Sequence, residues 1–445
     1  MSVVPETSRT AAQPVTSAVL TPWAKQRRGV MPTIVRGEGS YLVDDHDGRY
    51  LDLSAGLVAV NLGHGHPRVV EAIKRQAERL CYAMPAFPND ERESFARRLS
   101  DLSPWSGGAR TFFTTGGGEA NEDAIKMARA ITGRHKVVTA YRSFHGSAPG
   151  AGTLTGEDRR WPNEPGIPGV VRVFAPYPYR SPFDAVGPAE VEAALKHLEL
   201  VLAYEGAHNV AAMLIEPVVG TNGVVTYPDG YLAGVRDLTE RHGILLVFDE
   251  VMTGFGRTGE RFAAVRYDVQ PDMITMAKGM TSAYVPLGGV LVREDLAAHF
   301  DDTPLMCGHT YSGHPLAVAI GNAVVATMHD EGLFTRAREI ETWMREGLGA
   351  LAERHAVIGE VRGVGAFFGI EFVRDRASKE PLVRWYGGVN TPMERLMGAL
   401  RAKGVYAFGR YNVLLVTPPL TISRADLDHG FAVLDDVLAS IDLTG

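Results

Sequence analysis

The chain has 445 residues, 45% of them apolar and 22% charged, with 49 glycines; that length normally carries two domains, and that balance is globular rather than disordered or fibrous. A net charge of −7 offers no basic surface to nucleic acid or an acidic membrane, and no apolar run approaches the roughly 18 residues that span a bilayer. Cys81 and Cys307 are the only cysteines, too few for a disulfide framework or a thiolate metal site, which fits a reducing cytoplasm.

Residues 1–20 lack the apolar core of a secretory signal and are expected to form a mobile polar arm. Residues 21–64 open a small domain, in which GSYLVDDHDGRYLDL predicts a hairpin turning at Asp47-Gly48. GHGHP (63–67) offers His64 and His66 to a metal, but no carboxylate or cysteine follows at ligand spacing. Pro67 before the periodic Val69, Val70, Ile73, Ala77 and Leu80 reads instead as a helix start. His314 before Pro315 reads likewise.

Seven β-rich runs follow between about 108 and 292: RTFFTT (110–115), KVVTAY (136–141), VVRVFA (170–175), VAAMLIEP (210–217), ILLVFDE (244–250), MITMA (273–277) and GGVLV (288–292). Helical patterns lie between several of them, in EANEDAIKMARAI, EVEAALKHLELVL and YLAGVRDLTERHG. Continuous apolar strands with crossover helices indicate an α/β fold with a mostly parallel sheet covered on both faces. Its ligand chemistry should collect at the carboxyl ends of the strands. The large domain is placed at 65–320. After it, two amphipathic helices at 315–330 and 332–355, GAFFGIEFV, another helix, VLLVTPPL and a final helix from about 423 have α+β order. Residues 321–445 therefore complete the small domain begun by the N-terminus.

The chemistry-bearing residues sit at the strand ends. Lys278, in DMITMAKGM, is a lone lysine in an apolar stretch. Either its amine reaches water along its own stem, or desolvation lowers its pKa from about 10.4 and yields a neutral amine able to form a Schiff base. Asp249 ends another apolar run 29 residues earlier, a separation that lets a strand–connection–strand unit set both on one sheet edge. An acid for a protonated ring nitrogen and a lysine for the linkage are the two groups pyridoxal phosphate requires. TTGGGEANEDA supplies glycines and a helix start suited to a phosphate. Phe144 and His145 follow strand 136–141, and an aromatic there is placed to stack on a planar cofactor. GFGRTG (254–259) matches a dinucleotide fingerprint only formally, because DEVMT separates it from its strand and ERFAAVRYDVQP is a poor helix.

LDLSAGLVAVNLGHGHP, FFTTGGGEANEDAIKMAR, FHG, IEPVVGTNGVV, FDEVMTGFGRTG, MAKGM, HTYSGHPLA and TPPL occur together and in order. Over roughly residues 22–440 they resemble the class III, pyridoxal-phosphate-dependent aminotransferases, most closely the ω-amino acid and amine transaminase branch of the taurine and β-alanine:pyruvate kind. The resemblance implies a fold-type I architecture with Lys278 as the Schiff-base lysine and proton shuttle. Asp249 is then the partner of the pyridinium N–H, with Val251 and Phe144 on the two ring faces and His145 beside them. It also implies Gly117 and Gly118 as the phosphate turn, Glu216 as a supporting acid, and Thr310 as a hydroxyl reaching the phosphate of a neighbouring subunit. A homodimer, or a tetramer built from it, follows.

Several positions depart from the family pattern. Gly118 stands where many relatives have Ser, and Phe144 where Tyr is commoner. Thr221 replaces the Glu that gates an arginine in ornithine- and γ-aminobutyrate-type members. Val58 replaces a Trp common among amine transaminases and leaves room for substrate, toward which Phe87 is also assigned. The family's mobile carboxylate-binding arginine falls on Phe408, with Arg410 two residues on as the expected clamp. The expected activity is ping-pong transfer of an amino group from an ω-amino acid or primary amine to pyruvate or 2-oxoglutarate. The alternatives are an epimerase or aminomutase on the same site and, from another class, a non-catalytic cofactor-binding scaffold.

Overall fold

The computed structural model describes residues 18–26, 31–383 and 391–443; residues 1–17 of the expected arm lie outside the described residues. Three strands open the chain, β1 Ile34–Glu38, β2 Tyr41–Asp44 and β3 Arg49–Asp52. The turn between β2 and β3 falls where expected. Asp47 adopts a left-handed φ of 59°, and Asp44 Oδ1 accepts from the Gly48 amide at 2.7 Å.

The large sheet has seven strands: β4 Ala109–Thr114, β5 Lys136–Ala140, β6 Val170–Val173, β7 Val210–Ile215, β8 Leu245–Asp249, β9 Met273–Met276 and β10 Gly288–Arg293. Their spatial order is β4-β10-β9-β8-β7-β5-β6. Every pairing is parallel except those of β10, which runs antiparallel to both neighbours. The reason is length. Residues 277–287 connect β9 to β10, and a parallel return needs a crossover of a dozen or more residues.

Alternation along the strands divides the core into two faces. Ala212 and Leu214 of β7 share one apolar cluster with Ala120, Ala124 and Ala128 of the helix Gly117–Thr132. Met213 and Ile215 share the other with Leu198 of the helix Pro188–Glu205 and Val235 and Leu238 of the helix Tyr231–Arg241. Each buried Leu, Val or Ile contributes about 1.5–3 kcal/mol, so the register is held from both sides.

Five further strands are β11 Ile358–Val364, β12 Phe367–Asp375, β13 Val405–Tyr406, β14 Phe408–Arg410 and β15 Val413–Val416. β13 pairs parallel with β3, so both ends of the chain share a sheet. β11, β12, β15 and β14 form an antiparallel sheet in that order. Among the described residues no helix is long and apolar enough to cross a membrane.

Candidate active site

A cavity of about 420 Å³ opens where the carboxyl ends of the parallel strands meet, lined by Gly117, Gly118, Phe144, His145, Asp249 and Lys278 among others. Asp249 pairs in register with Thr275 on the neighbouring strand, and Lys278 lies three residues beyond Thr275. The two residues singled out by their strand-end positions therefore share one edge of the sheet. Lys278 is held at a left-handed φ of 45°, a conformation that costs a residue with a Cβ about 1–2 kcal/mol. Gly279 beside it is required, since a Cβ there would lie 2.5 Å from Asn61 Nδ2. Burial pushes the Lys278 amine down to about 8, helped by Arg159 and opposed by Asp249 and Glu216. Among the described residues the amine makes no hydrogen bond or ion pair, so a nucleophile is left free.

Asp249 is 3% exposed and fully engaged from behind. Its Oδ2 accepts from Asn121 Nδ2 at 2.8 Å and lies 2.7 Å from His145 Nδ1, and its Oδ1 accepts from the Val251 amide at 3.1 Å. Asn121 also donates to the His145 carbonyl, and its own Oδ1 accepts from Thr275 Oγ1. The carboxylate is thus fixed in one orientation by groups on three segments. Glu216 accepts from the Phe144 amide at 2.8 Å and the Gly220 amide at 2.7 Å, which ties Phe144 to the end of β7. Burial, with Asp249 nearby, pushes Glu216 upward.

The helix Gly117–Thr132 points its N-terminus into the cavity, with Gly116 at the cap and no side-chain capping bond. The first amides of a helix have no intrahelical partner and favour an anion. A Cβ on Gly117 would lie 2.7 Å from Val251 Cγ2, so the backbone approaches this side chain closely. Glu119, in the helix's first turn, folds back to accept from Thr115 N and Oγ1. An open cradle of amides, a buried acid and an unpartnered amine around one cavity fit a phosphorylated aromatic aldehyde.

Packed against Phe144 of the cavity wall are residues that local sequence patterns did not single out. The Arg159 guanidinium lies 3.6 Å from the Phe144 ring centre, and Trp23 meets the same ring edge-on at 6.2 Å. Arg159 donates to Thr221 Oγ1 at 2.8 Å and through Nε to Glu157. Arg410 donates to Glu157 at 2.5 Å and to Asp158 at 2.6 Å. Asn121, Arg159, Glu157 and Trp23 carry no strand-end or glycine signature. Only the buried polar Asn121 inside an apolar helix face was open to sequence reasoning.

Four assigned residues are absent from the cavity wall: Arg410, held on Glu157 and Asp158, and three others. Thr310 is exposed and its carbonyl accepts from Tyr82 Oη at 3.1 Å. Phe87 is 62% exposed. Val58 is buried among Val218, Val224 and Phe367, while its neighbour Ala59 lines the cavity. His64 pairs with Asp52 and His66 with Glu331. Among the described residues no three His, Cys, Asp or Glu side chains are grouped to hold a metal. After GFGRTG only the short helix Ala263–Arg266 follows.

The family profile of class-III aminotransferases matches residues 23–438. The taurine:2-oxoglutarate aminotransferase of Bifidobacterium kashiwanohense, solved with PLP and glutamate, superposes with a TM-score of 0.92 at 39% identity, over 96% of each chain. An (S)-enantioselective omega-transaminase of Thermomicrobium roseum gives 0.87 at 37% identity, over 95% of each. The taurine–pyruvate aminotransferase of Bilophila wadsworthia is 31% identical over 433 residues, 94% of each chain.

Proposed function

The chain belongs to the class-III aminotransferases, pyridoxal-phosphate enzymes of fold-type I, and on that premise we propose that it moves an amino group from an ω-amino acid or a similar primary amine to a 2-oxo acid. The observation that carries the reading is the shared cavity edge of Lys278 and Asp249 with a guanidinium, Arg159, packed on Phe144. Pyridoxal phosphate, when bound, acts as the electron sink for the carbon that bears the amino group. The amides of Gly117 and Gly118 would hold its phosphate, Val251 and Phe144 would flank its ring, and Asp249 would keep a proton at the ring nitrogen. His145 and Asn121 orient that carboxylate. Lys278 Nζ would be the point of attachment and, once displaced by the donor amine, the base that takes up the proton from the donor carbon.

Arg159 favours a donor with a carboxylate or sulfonate remote from its amine, as in β-alanine or taurine. Arg410, at the end of β14, is read as the clamp for the oxo-acid carboxylate, since guanidinium and carboxylate pair bidentately. Arg410→Ala is expected to raise the KM for pyruvate or 2-oxoglutarate strongly. The half-reaction with an uncharged amine should change little. Unchanged oxo-acid kinetics would remove Arg410 from the site.

Thr310 and Phe87, exposed on one chain, are read as contributions to the site of a second subunit in a cytoplasmic homodimer. A hybrid of a Lys278→Ala subunit with a Thr310→Ala subunit should then contain one intact site and one carrying both lesions. Full loss of activity in that hybrid would place Thr310 in its own chain's site.

The test of the function is a panel of taurine, β-alanine, other ω-amino acids and simple amines, each against pyruvate and 2-oxoglutarate. With amine alone the reaction should stop after one turnover per site. Continued turnover without an oxo acid would indicate an epimerase or aminomutase, and no reaction at all a cofactor-binding scaffold.

A further inference from the structure

Glu157 takes no part in the steps above, yet it is the most deeply buried charge of the cluster that packs through Arg159 on Phe144, a residue of the cavity wall. The Glu157 side chain is 1% exposed, against 13% for Arg159, 17% for Arg410 and 25% for Asp158. Both guanidiniums donate to it. Asp158 and Tyr411 Oη also meet Arg410, at 2.6 and 3.0 Å, and Thr221 Oγ1 meets Arg159. Two cations therefore face two carboxylates in a largely dry cluster whose charge is balanced. Even so, Arg410 Nε is buried and donates to no acceptor among the described residues. The cluster keeps an unused donor with both resident carboxylates in place.

We propose that Glu157 is a place-holder for the anionic group of a substrate: an arriving carboxylate or sulfonate takes over Arg159 and Arg410 while Glu157 takes up one proton from solvent. The aminotransferase reading is needed only to say which anions arrive. A third negative charge would leave the buried cluster one anion in excess, which is strongly unfavourable unless it is neutralised.

The groups that face Glu157 decide where the proton goes. From its own turn come Arg159 and Asp158, and from the β14–β15 hairpin come Arg410 and Tyr411. Across the cavity the Lys278 amine is coupled electrostatically to Arg159. Burial pushes Glu157 up to about 7, with Asp158 adding to the rise and the two arginines opposing it. Burial also acts on Asp158, but hydrogen bonds from Glu157 and Tyr411 and the charge of Arg410 outweigh it and hold that carboxyl low. The proton belongs on Glu157.

The sign follows from linkage. Below about pH 7 Glu157 is already neutral, so an arriving anion brings the buried cluster into charge balance without a proton. Above it, binding must carry a proton in, so anion affinity falls with rising pH, approaching about tenfold per unit for one linked proton.

Glutarate, a dicarboxylate without the oxo group, probes this on the holoenzyme without turnover. Calorimetry at about pH 8 in phosphate and in Tris, buffers of different ionisation enthalpy, is expected to report uptake of about one proton per glutarate bound. The visible absorbance of the cofactor, read alongside, separates protons taken up there from the one on Glu157. Glu157→Gln should bind glutarate more tightly at that pH, without proton uptake and with affinity nearly flat from about pH 6 to 8. Equal enthalpies in the two buffers for the unmodified enzyme, or a variant that keeps the pH slope, overturn the proposal. So does failure of glutarate to bind. Proton uptake with no turnover in the donor panel would instead remove the transaminase reading and leave the place-holder intact.

Discussion

Lys278→Ala is expected to lose about a hundred- to ten-thousandfold or more in transamination, the range a positioned acid–base group contributes, because the variant also lacks the linking amine. Cofactor binding should weaken but persist, since the glycine cradle, Val251, Phe144 and Asp249 all remain. The size of the effect rests on the amine's state. At about pH 8 an ordinary lysine with pKa near 10.4 is neutral in roughly one molecule in 250. With the amine pushed down to about 8, half the molecules present a free nucleophile at that pH. The same shift has a sign for stability. A folded-state pKa below the unfolded one means the cost of the buried ammonium is present below about pH 8 and is relieved as pH rises toward the unfolded value. Borohydride reduction followed by peptide mass mapping checks the assignment directly. Cofactor mass on any lysine other than Lys278 sinks it.

The sheet was legible because its signal is local and periodic. Seven apolar runs of strand length, separated by helical patterns, became seven strands, and alternation within each decided which side chains meet which helices. The direction of β10 was not legible from apolar pattern alone, yet the brevity of 277–287 forbade a crossover. Lys278 stood out as a lone lysine after an apolar run, and Asp249 as the first of two acids that end another. Both lie on the edge that such sheets use.

The pairing of Glu157 with Arg410 was not legible, for the opposite reason. Glu157 and Arg410 are 253 residues apart in the chain, and an acid–acid–arginine turn looks like solvated surface until a distant strand closes over it. Arg410 stands two residues from Phe408, the position the family pattern points to. Both belong to β14, and residues two apart on a strand point to the same face.

Asp249→Asn is expected to retain cofactor and lose about ten- to a hundredfold in kcat, with the donor KM moving much less. The carboxylate accepts from three sides, at Oδ2 from Asn121 and His145 and at Oδ1 from the Val251 amide. An amide has only one acceptor oxygen. If that oxygen stays toward Asn121 and His145, the new NH2 faces the Val251 amide. If it turns, the NH2 faces the Asn121 amide instead. Either way a donor meets a donor in a site that is nearly dry, and the negative charge that held a proton on the ring is gone. A hydrogen bond to a charged group is worth about 1.5–3 kcal/mol, and about 1.4 kcal/mol is tenfold in rate. Because the ring nitrogen matters most when electrons flow into the ring, the loss falls on the reacting state rather than on binding. Single-turnover rates at saturating donor, measured beside cofactor content, separate the two. A variant that keeps near-normal turnover would leave Asp249 as a buried cap on the end of β8 and return the question of the ring's proton to His145.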